Sequence, residues 1–324
     1  MIIDIAEITR EALAGVVCSK TVALELACNA DLGELINSSN QIRQKFFGNK
    51  VKLCMIINAK SGVCDMDCRF CSQSGHYAAE PPVYPFMLAS ELAENIYDAD
   101  ANGTHSCGVV TSGGRLTSED VDIFADSLKQ TNGKVKCEIC ASLGRLTMED
   151  MGRLKAAGLN RYHHNLETSE KFYPEICSTQ EWAERFKTVQ AAKQAGLEVC
   201  SGGLFGLGES WEDRIDLALA LSRLGVDSVP INFLIPHLGT PLGDTELLSA
   251  DEALRIIAVY RHILPTKTLR ICGGRGVVLK DKQNQIFAAG ANAIMTGDYL
   301  TTKGQMPTSD KEMIQELGLE ILQG

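Results

Sequence analysis

The chain has 324 residues, 45% hydrophobic and 22% charged, with a formal net charge of −10. This is the balance of a globular protein with a sizeable core, and its acidity gives no electrostatic footprint for nucleic acid or an anionic membrane surface. No apolar run approaches the roughly 18 residues of a membrane span, and the N-terminus carries an acid where a secretory signal would be basic, so a cytoplasmic location is expected.

In chain order, residues 4–48 read as helices, because apolar residues recur at helical spacing in Ile5, Ile8 and Leu13 and again in Leu32, Ile36, Ile42 and Phe46. Short apolar runs then alternate with amphipathic stretches. The candidate strands are 51–57, 105–111, 135–141, 161–166, 197–205, 227–234, 268–272 and 292–296. Helix starts are marked by box-like pairs Thr147/Asp150, Ser210/Asp213 and Ser249/Glu252, and stops by Gly158 and Gly196. Eight strand–helix alternations predict a (β/α)8 TIM-type barrel; an open doubly wound sheet is the alternative. The simplest division is a helical N-terminal extension, 1–50, before a barrel, 51–324. The proline-rich segment 80–85 is expected to cover the end of the first strand.

Twelve cysteines in a reducing compartment point to metal ligation rather than disulfides. Cys64, Cys68 and Cys71 follow the first strand at C-x3-C-x2-C spacing, and a short loop of that spacing turns three thiolates toward one point. Thiolates are the ligands of iron–sulfur clusters, normally four per cubane, so three leave one iron open for chemistry. Structural zinc or three buried thiols are the bland alternatives; zinc sites favour paired C-x2-C units or added histidines, and no second pair stands at a matching offset. The motif resembles that of the radical S-adenosylmethionine (SAM) enzymes. That resemblance implies a SAM-binding [4Fe–4S] cluster on Cys64, Cys68 and Cys71, with Phe70 by the adenine.

Strand alternation sorts the other thiols. Cys140 shares a face with Glu138 while Cys137 opposes it, and Arg270 shares a face with Cys272 on the seventh strand. Cys107 lies on the second strand and Cys200 on the fifth. Inward residues from different strands of a small barrel meet in layers, so thiols far apart in sequence can converge. Cys18, Cys28, Cys137 and Cys177 are expected simply to pack; Cys54, in the first strand, is left open. His163, Asn165 and Glu167 share a face of the fourth strand, whereas His164 opposes them and belongs to the core.

Further stretches resemble the biotin synthases from end to end: Ile57–Cys64 with Cys71–Ser74, Tyr162–Ser169, Val199–Glu209, Ser228–Phe233, Gly239–Leu242 and Gly290–Ile294. The resemblance implies a barrel of the radical SAM kind, a homodimer, and insertion of one sulfur into dethiobiotin to give biotin. Its implied partners are dethiobiotin, SAM and a reducing protein such as flavodoxin or ferredoxin. It also implies a second, sulfur-donating cluster ([2Fe–2S] in the family) on Cys107, Cys140, Cys200 and Arg270. Asn165 and Glu167 would hold SAM, Leu204 would lie in an adenine-binding turn, and His163, Asn165 and Asn232 would meet dethiobiotin. The chain departs from the family at His163, His105, Cys272 and Cys54, where Asn, Arg, Ser and a small hydroxyl are usual. Guanidinium stays protonated and is a poor ligand. The expected set here is therefore Cys107, Cys140, Cys200 and Cys272, with Arg270 beside them as donor, Cys54 in reserve, and a four-iron cluster.

Overall fold

A computed structural model describes residues 4–324. Residues 1–3, part of the stretch read as unlike a secretory signal, lie outside the described residues. The described residues form ten strands: β1 Lys50–Lys60, β2 Ser106–Thr111, β3 Glu138–Ser142, β4 Arg161–His163, β5 Glu198–Cys200, β6 Gly203–Phe205, β7 Ser228–Phe233, β8 Thr268–Ile271, β9 Ala293–Met295 and β10 Glu320–Leu322. All their pairings are parallel, and β1 bonds to both β2 and β9, which closes the sheet. With β5 and β6 as two pieces of one barrel position, eight positions ring the axis, as the alternation predicts.

The break in the fifth position has a local cause. Pro230 on the facing strand has no N–H to donate. The Gly202 carbonyl instead accepts from the amides of Leu166 and Glu167, at 3.0 and 3.1 Å. A Cβ on Gly202 would stand 1.9 Å from the Pro230 carbonyl oxygen, and one on Gly203 2.3 Å from that of Glu167, so the backbones approach only because both residues are glycine. The expected strand 197–205 is therefore two short ones. The fourth strand also ends early, at His163 rather than 166, and the chain turns into the left-handed region at Glu167 (φ 68°).

Helices connect the strands on the outer face. Ser210 and Asp213 make a complete capping box, but Thr147 and Ser249 cap only their own N3 amides. Gly158 ends its helix in the left-handed conformation, φ 118°. The N-terminal helices Ile5–Leu13, Lys20–Asn29 and Leu32–Phe47 pack on helix Ala250–Ile263, where Ser38 meets the buried His262 at 2.8 Å. The C-terminal helix Pro307–Glu316 is pinned by a fully buried pair: Arg275 Nη2 reaches both Asp310 carboxylate oxygens at 2.8 Å. The strand β10, absent from the sequence reading, extends the sheet beside the start of β1. Segment 80–85 lies on the end of β1 as expected, with Tyr84 bridged to Ser61. No helix of the described residues is long and apolar enough to cross a membrane.

Candidate active site

The loop after β1 is held by backbone bonds that aim its thiols. The Cys64 amide donates to Gln73 (2.9 Å), the Cys71 amide to Cys68 (2.9 Å) and the Gly75 amide to Cys64 (2.8 Å). The Gly113 amide, after β2, donates to Cys64 Sγ at 3.3 Å. Asp67 accepts from the amides of Ser178 and Thr179 at 2.9 and 3.0 Å, which ties the loop to the far wall. Against the effect of burial, the Ser178 hydroxyl and then these amides hold the Asp67 carboxyl below its usual range. Cys64, Cys68 and Cys71 all line one cavity of about 390 Å3 at the C-terminal mouth of the barrel. Burial raises the Cys64 thiol and pushes Cys71 up to about 11. Cys177, expected only to pack, donates to the Asp67 carboxylate at 3.3 Å; the Cys68 thiol is raised by its neighbour Cys177 and by burial, and the Cys177 thiol is lowered.

The polar wall beside this loop comes from the end of β4. Asn165 accepts from the Gly202 amide at 3.1 Å, and its Nδ2 donates to Glu167 at 3.4 Å. Arg185 was not found by sequence reasoning, for its helix shows only ordinary charge. It donates to the Asn165 carbonyl at 3.0 Å and stands 3.6 Å from the Glu167 carboxylate. Burial raises Glu167, and the Arg185 guanidinium offsets only part of that. Phe70, Glu167 and Leu204 line a second cavity, of about 260 Å3, that shares its wall with the first. Asn232 lines both; its amide spans strands, taking the Gly273 amide at 3.0 Å and giving to the Gly203 carbonyl at 3.2 Å. His163 and His164 both line the larger cavity; His164, expected to belong to the core, is buried there, and that burial lowers its pKa.

Deeper in the barrel the register decides which thiols face inward. Cys54 pairs with Ser106, Ile56 with Gly108, and Gly108 with Cys140, so these residues share the inner face. Cys107 pairs with Met55 and Ile139, one step out of phase. It is wholly buried in the outer core and does not line the cavity, whereas Cys54, Cys140, Cys200 and Cys272 do. The alternation of β2 aims Cys107, expected as a cluster ligand, away from the cavity. Its thiol is raised, by burial first and then by neighbouring Cys137.

Two guanidiniums attend the inward thiols. Arg270 Nη1 donates to Cys200 Sγ, and Arg161 Nη1 to Cys140 Sγ, each at 3.6 Å. Against the effect of burial, Arg270 and then His163 draw Cys200 down to about 6, while burial pushes Cys140 up to about 12. Below them, Arg161 also bonds Glu138 and Glu198, and His105, whose pKa burial lowers, stands 3.6 Å from Glu138. Arg270 Nε and Nη2 are buried without a partner, donors suited to an anionic group in the barrel. Among the described residues no three His, Cys, Asp or Glu side chains gather tightly enough for a single metal ion. An iron–sulfur cluster is larger than an ion and takes its thiolates from farther apart.

The profile of the Radical SAM superfamily matches residues 59–221, and that of the Biotin and Thiamin Synthesis associated domain matches 230–320. The chain is 52% identical over 288 residues to the biotin synthase of Desulfovibrio desulfuricans, covering 89% of this chain and 91% of that one. The chain belongs to the biotin synthase family. A second family member, from Pelotomaculum thermopropionicum, is 45% identical, over 90% of this chain and 91% of its own. Among solved structures, methylornithine synthase superposes with TM-score 0.84 at 21% identity, covering 98% and 97% of the two chains. The [FeFe]-hydrogenase maturase superposes with TM-score 0.83 at 17% identity, covering 98% of this chain and 75% of its own. Both likenesses show the fold alone. Membership in the biotin synthase family brings a [4Fe–4S] cluster with SAM, and the three loop thiols, open to one cavity and supported by backbone amides, fit it.

Proposed function

We propose that this chain inserts sulfur into dethiobiotin to form biotin, with SAM bound at the barrel mouth and a second iron–sulfur cluster deeper in the barrel. The observation that carries this is one continuous cavity: Cys64, Cys68 and Cys71 share it with Asn165, Glu167 and Asn232 and with inward barrel thiols. The substrate's C–H bonds are not acidic, so no side chain can act on them as a base. When bound, the reduced mouth cluster supplies the electron that cleaves SAM to methionine and a 5′-deoxyadenosyl radical.

The chain's own residues bind, orient and exclude water. Cys64, Cys68 and Cys71 would hold the mouth cluster, which would bind SAM. Phe70 and Leu204 flank the adenine. Glu167, kept in place by Arg185 and Asn165, offers its carboxylate to the ribose diol. His163 and Asn232 stand at the C-terminal ends of β4 and β7, where barrel sites form, and receive dethiobiotin. Asn232 keeps one amide hydrogen and one lone pair beyond its backbone bonds, as a ring urea requires. The barrel spans 51–324 with 1–50 as its extension; the enzyme is a cytoplasmic homodimer reduced by a flavodoxin- or ferredoxin-type protein.

The test is anaerobic reconstitution with iron and sulfide, followed by SAM, dithionite and dethiobiotin. Biotin and 5′-deoxyadenosine are expected together by mass spectrometry. Reductive SAM cleavage with no binding or consumption of dethiobiotin would remove the biotin assignment and leave only a radical SAM enzyme of another substrate.

A further inference from the structure

Cys177 stands beside the mouth loop, and the reaction proposed above does not use it. It follows the short helix Tyr173–Glu175, is 4% exposed, and does not line the cavity onto which Cys68 opens. The two segments that carry these cysteines run past each other in opposite directions. The Arg69 amide donates to the Ile176 carbonyl at 2.9 Å, and the Ser178 amide donates to the Asp67 carboxylate at 2.9 Å. The Asp67 amide closes the run on Thr179 Oγ1 at 3.1 Å. Arg69 is thus matched to Ile176 and Asp67 to Ser178, which sets Cys68 opposite Cys177. Opposite residues of antiparallel segments have Cα atoms about 4.5–5.5 Å apart, inside the roughly 4.4–6.8 Å over which a disulfide closes. The two thiols are neighbours, and Cys177 acts on Cys68 more strongly than Cys71 does.

We propose that Cys177 is the resolving thiol of Cys68: in the cluster-free chain it captures an oxidised Cys68 as a disulfide, which closes the mouth site until a dithiol reopens it. This rests on the reading of Cys68 as a ligand of the mouth cluster. Without iron, the Cys68 thiol is left facing an open cavity, where oxidation past the sulfenic stage is irreversible. Cys177 is shielded from the same attack, being buried, turned from the cavity and bonded to the Asp67 carboxylate at 3.3 Å. The oxidant is a hydroperoxide, and with hydrogen peroxide the step balances as follows. The Cys68 sulfur attacks one peroxide oxygen, the O–O bond breaks, and a sulfenic acid and one water form. The Cys177 sulfur then bonds to the Cys68 sulfur, and the sulfenic hydroxyl leaves with the thiol proton as a second water. Two thiols have given up two electrons and two protons, and the peroxide has taken them. A dithiol returns the electrons by exchange through a mixed disulfide. Transient disulfides of this redox-sensing kind are the ones a reducing compartment permits.

The test uses the full chain freed of iron by a chelator, treated with a small excess of hydrogen peroxide, alkylated, and digested with trypsin without reduction. Cleavage after Lys60, Arg69, Lys171 and Arg185 puts Cys68 and Cys177 on separate peptides and Cys71 on a third. Peptide 61–69 should be found joined to 172–185, and the same link in Cys64→Ser assigns it to Cys68. A link from Cys68 to Cys71 instead, or no link, overturns the proposal. Iron uptake on anaerobic reconstitution is then compared. Peroxide-treated wild type should lose the mouth cluster's share of iron and regain it after dithiothreitol. Peroxide-treated Cys177→Ser should lose that share and not regain it, with sulfinic acid on Cys68. Equal recovery in the two chains overturns the protective role. Untreated Cys177→Ser should take up iron as wild type does, and Cys177→Val, which fills the buried space without a hydroxyl, replaces it if the serine disturbs the fold. Full mouth iron in Cys68→Ala, with the link present in wild type, would remove the ligand reading and leave the disulfide standing.

Discussion

The mouth and the interior of this barrel gather thiols by opposite routes. At the mouth, Cys64, Cys68 and Cys71 lie within one loop, and backbone amides at Gly113 and along residues 71–75 aim them. In the interior, Cys54 and Cys272 are more than 200 positions apart in sequence, and only the closure of the sheet brings them to one side of it. A local site survives small shifts of the strands around it. An interior site depends on register, since a slip of one residue turns every side chain to the other face. Substitutions in the loop should therefore abolish one chemistry cleanly, and substitutions in the barrel should act through packing as well.

The largest effect expected is at the mouth. Replacing Cys64, Cys68 and Cys71 with alanine should abolish reductive SAM cleavage while the interior cluster's absorbance remains. Undiminished 5′-deoxyadenosine from that variant would end the distinction between the two sites. Next is Arg185→Met, which removes the guanidinium beside the buried Glu167 carboxylate. It should cost about 3–5 kcal/mol of stability, read by urea unfolding, and weaken SAM binding; an unchanged midpoint would show that the pair is not needed. Gly202→Ala tests the interior. Its Cβ would meet backbone at Pro230 rather than a movable side chain, so a loss of about 3 kcal/mol is expected, with interior iron lost before mouth iron.

Asn232→Ala should weaken dethiobiotin binding by about 1–3 kcal/mol, measured by titration, and change substrate-free SAM cleavage little. If both fall equally, the strap from Gly203 to Gly273 matters more than substrate contact. The smallest effect concerns Glu167, whose folded pKa is raised, by burial first. A raised folded pKa adds stability that is fully present below the ordinary carboxyl value and is lost as pH rises through the folded one. The cluster-free wild type should thus lose stability relative to Glu167→Gln as pH climbs from about 4 toward neutrality. Parallel curves from urea unfolding would contradict the raised pKa.

The chain's periodicity and spacing by themselves determined the eight-position barrel, the helical extension and the three-thiol loop, because each rests on local pattern: apolar alternation, helix caps and C-x3-C-x2-C spacing. Strand parity, also local, put Arg270 with Cys272. Parity within a strand says which residues share a face, not which face is inward. For β2 that choice belongs to its pairing with β1 and β3, where Gly108 meets Ile56 and Cys140 and sends Cys107 outward. The same limit hid Arg161, whose strand neighbours Glu138 and Glu198 hold it beneath Cys140, and Arg185, which reaches Glu167 from a helix about 20 residues away. The break between β5 and β6 was equally illegible, since the missing N–H belongs to Pro230 on another strand. Tertiary closure alone brought four scattered cysteines to one cavity, because in a closed sheet a side chain's neighbours are set by register and layer rather than by distance along the chain.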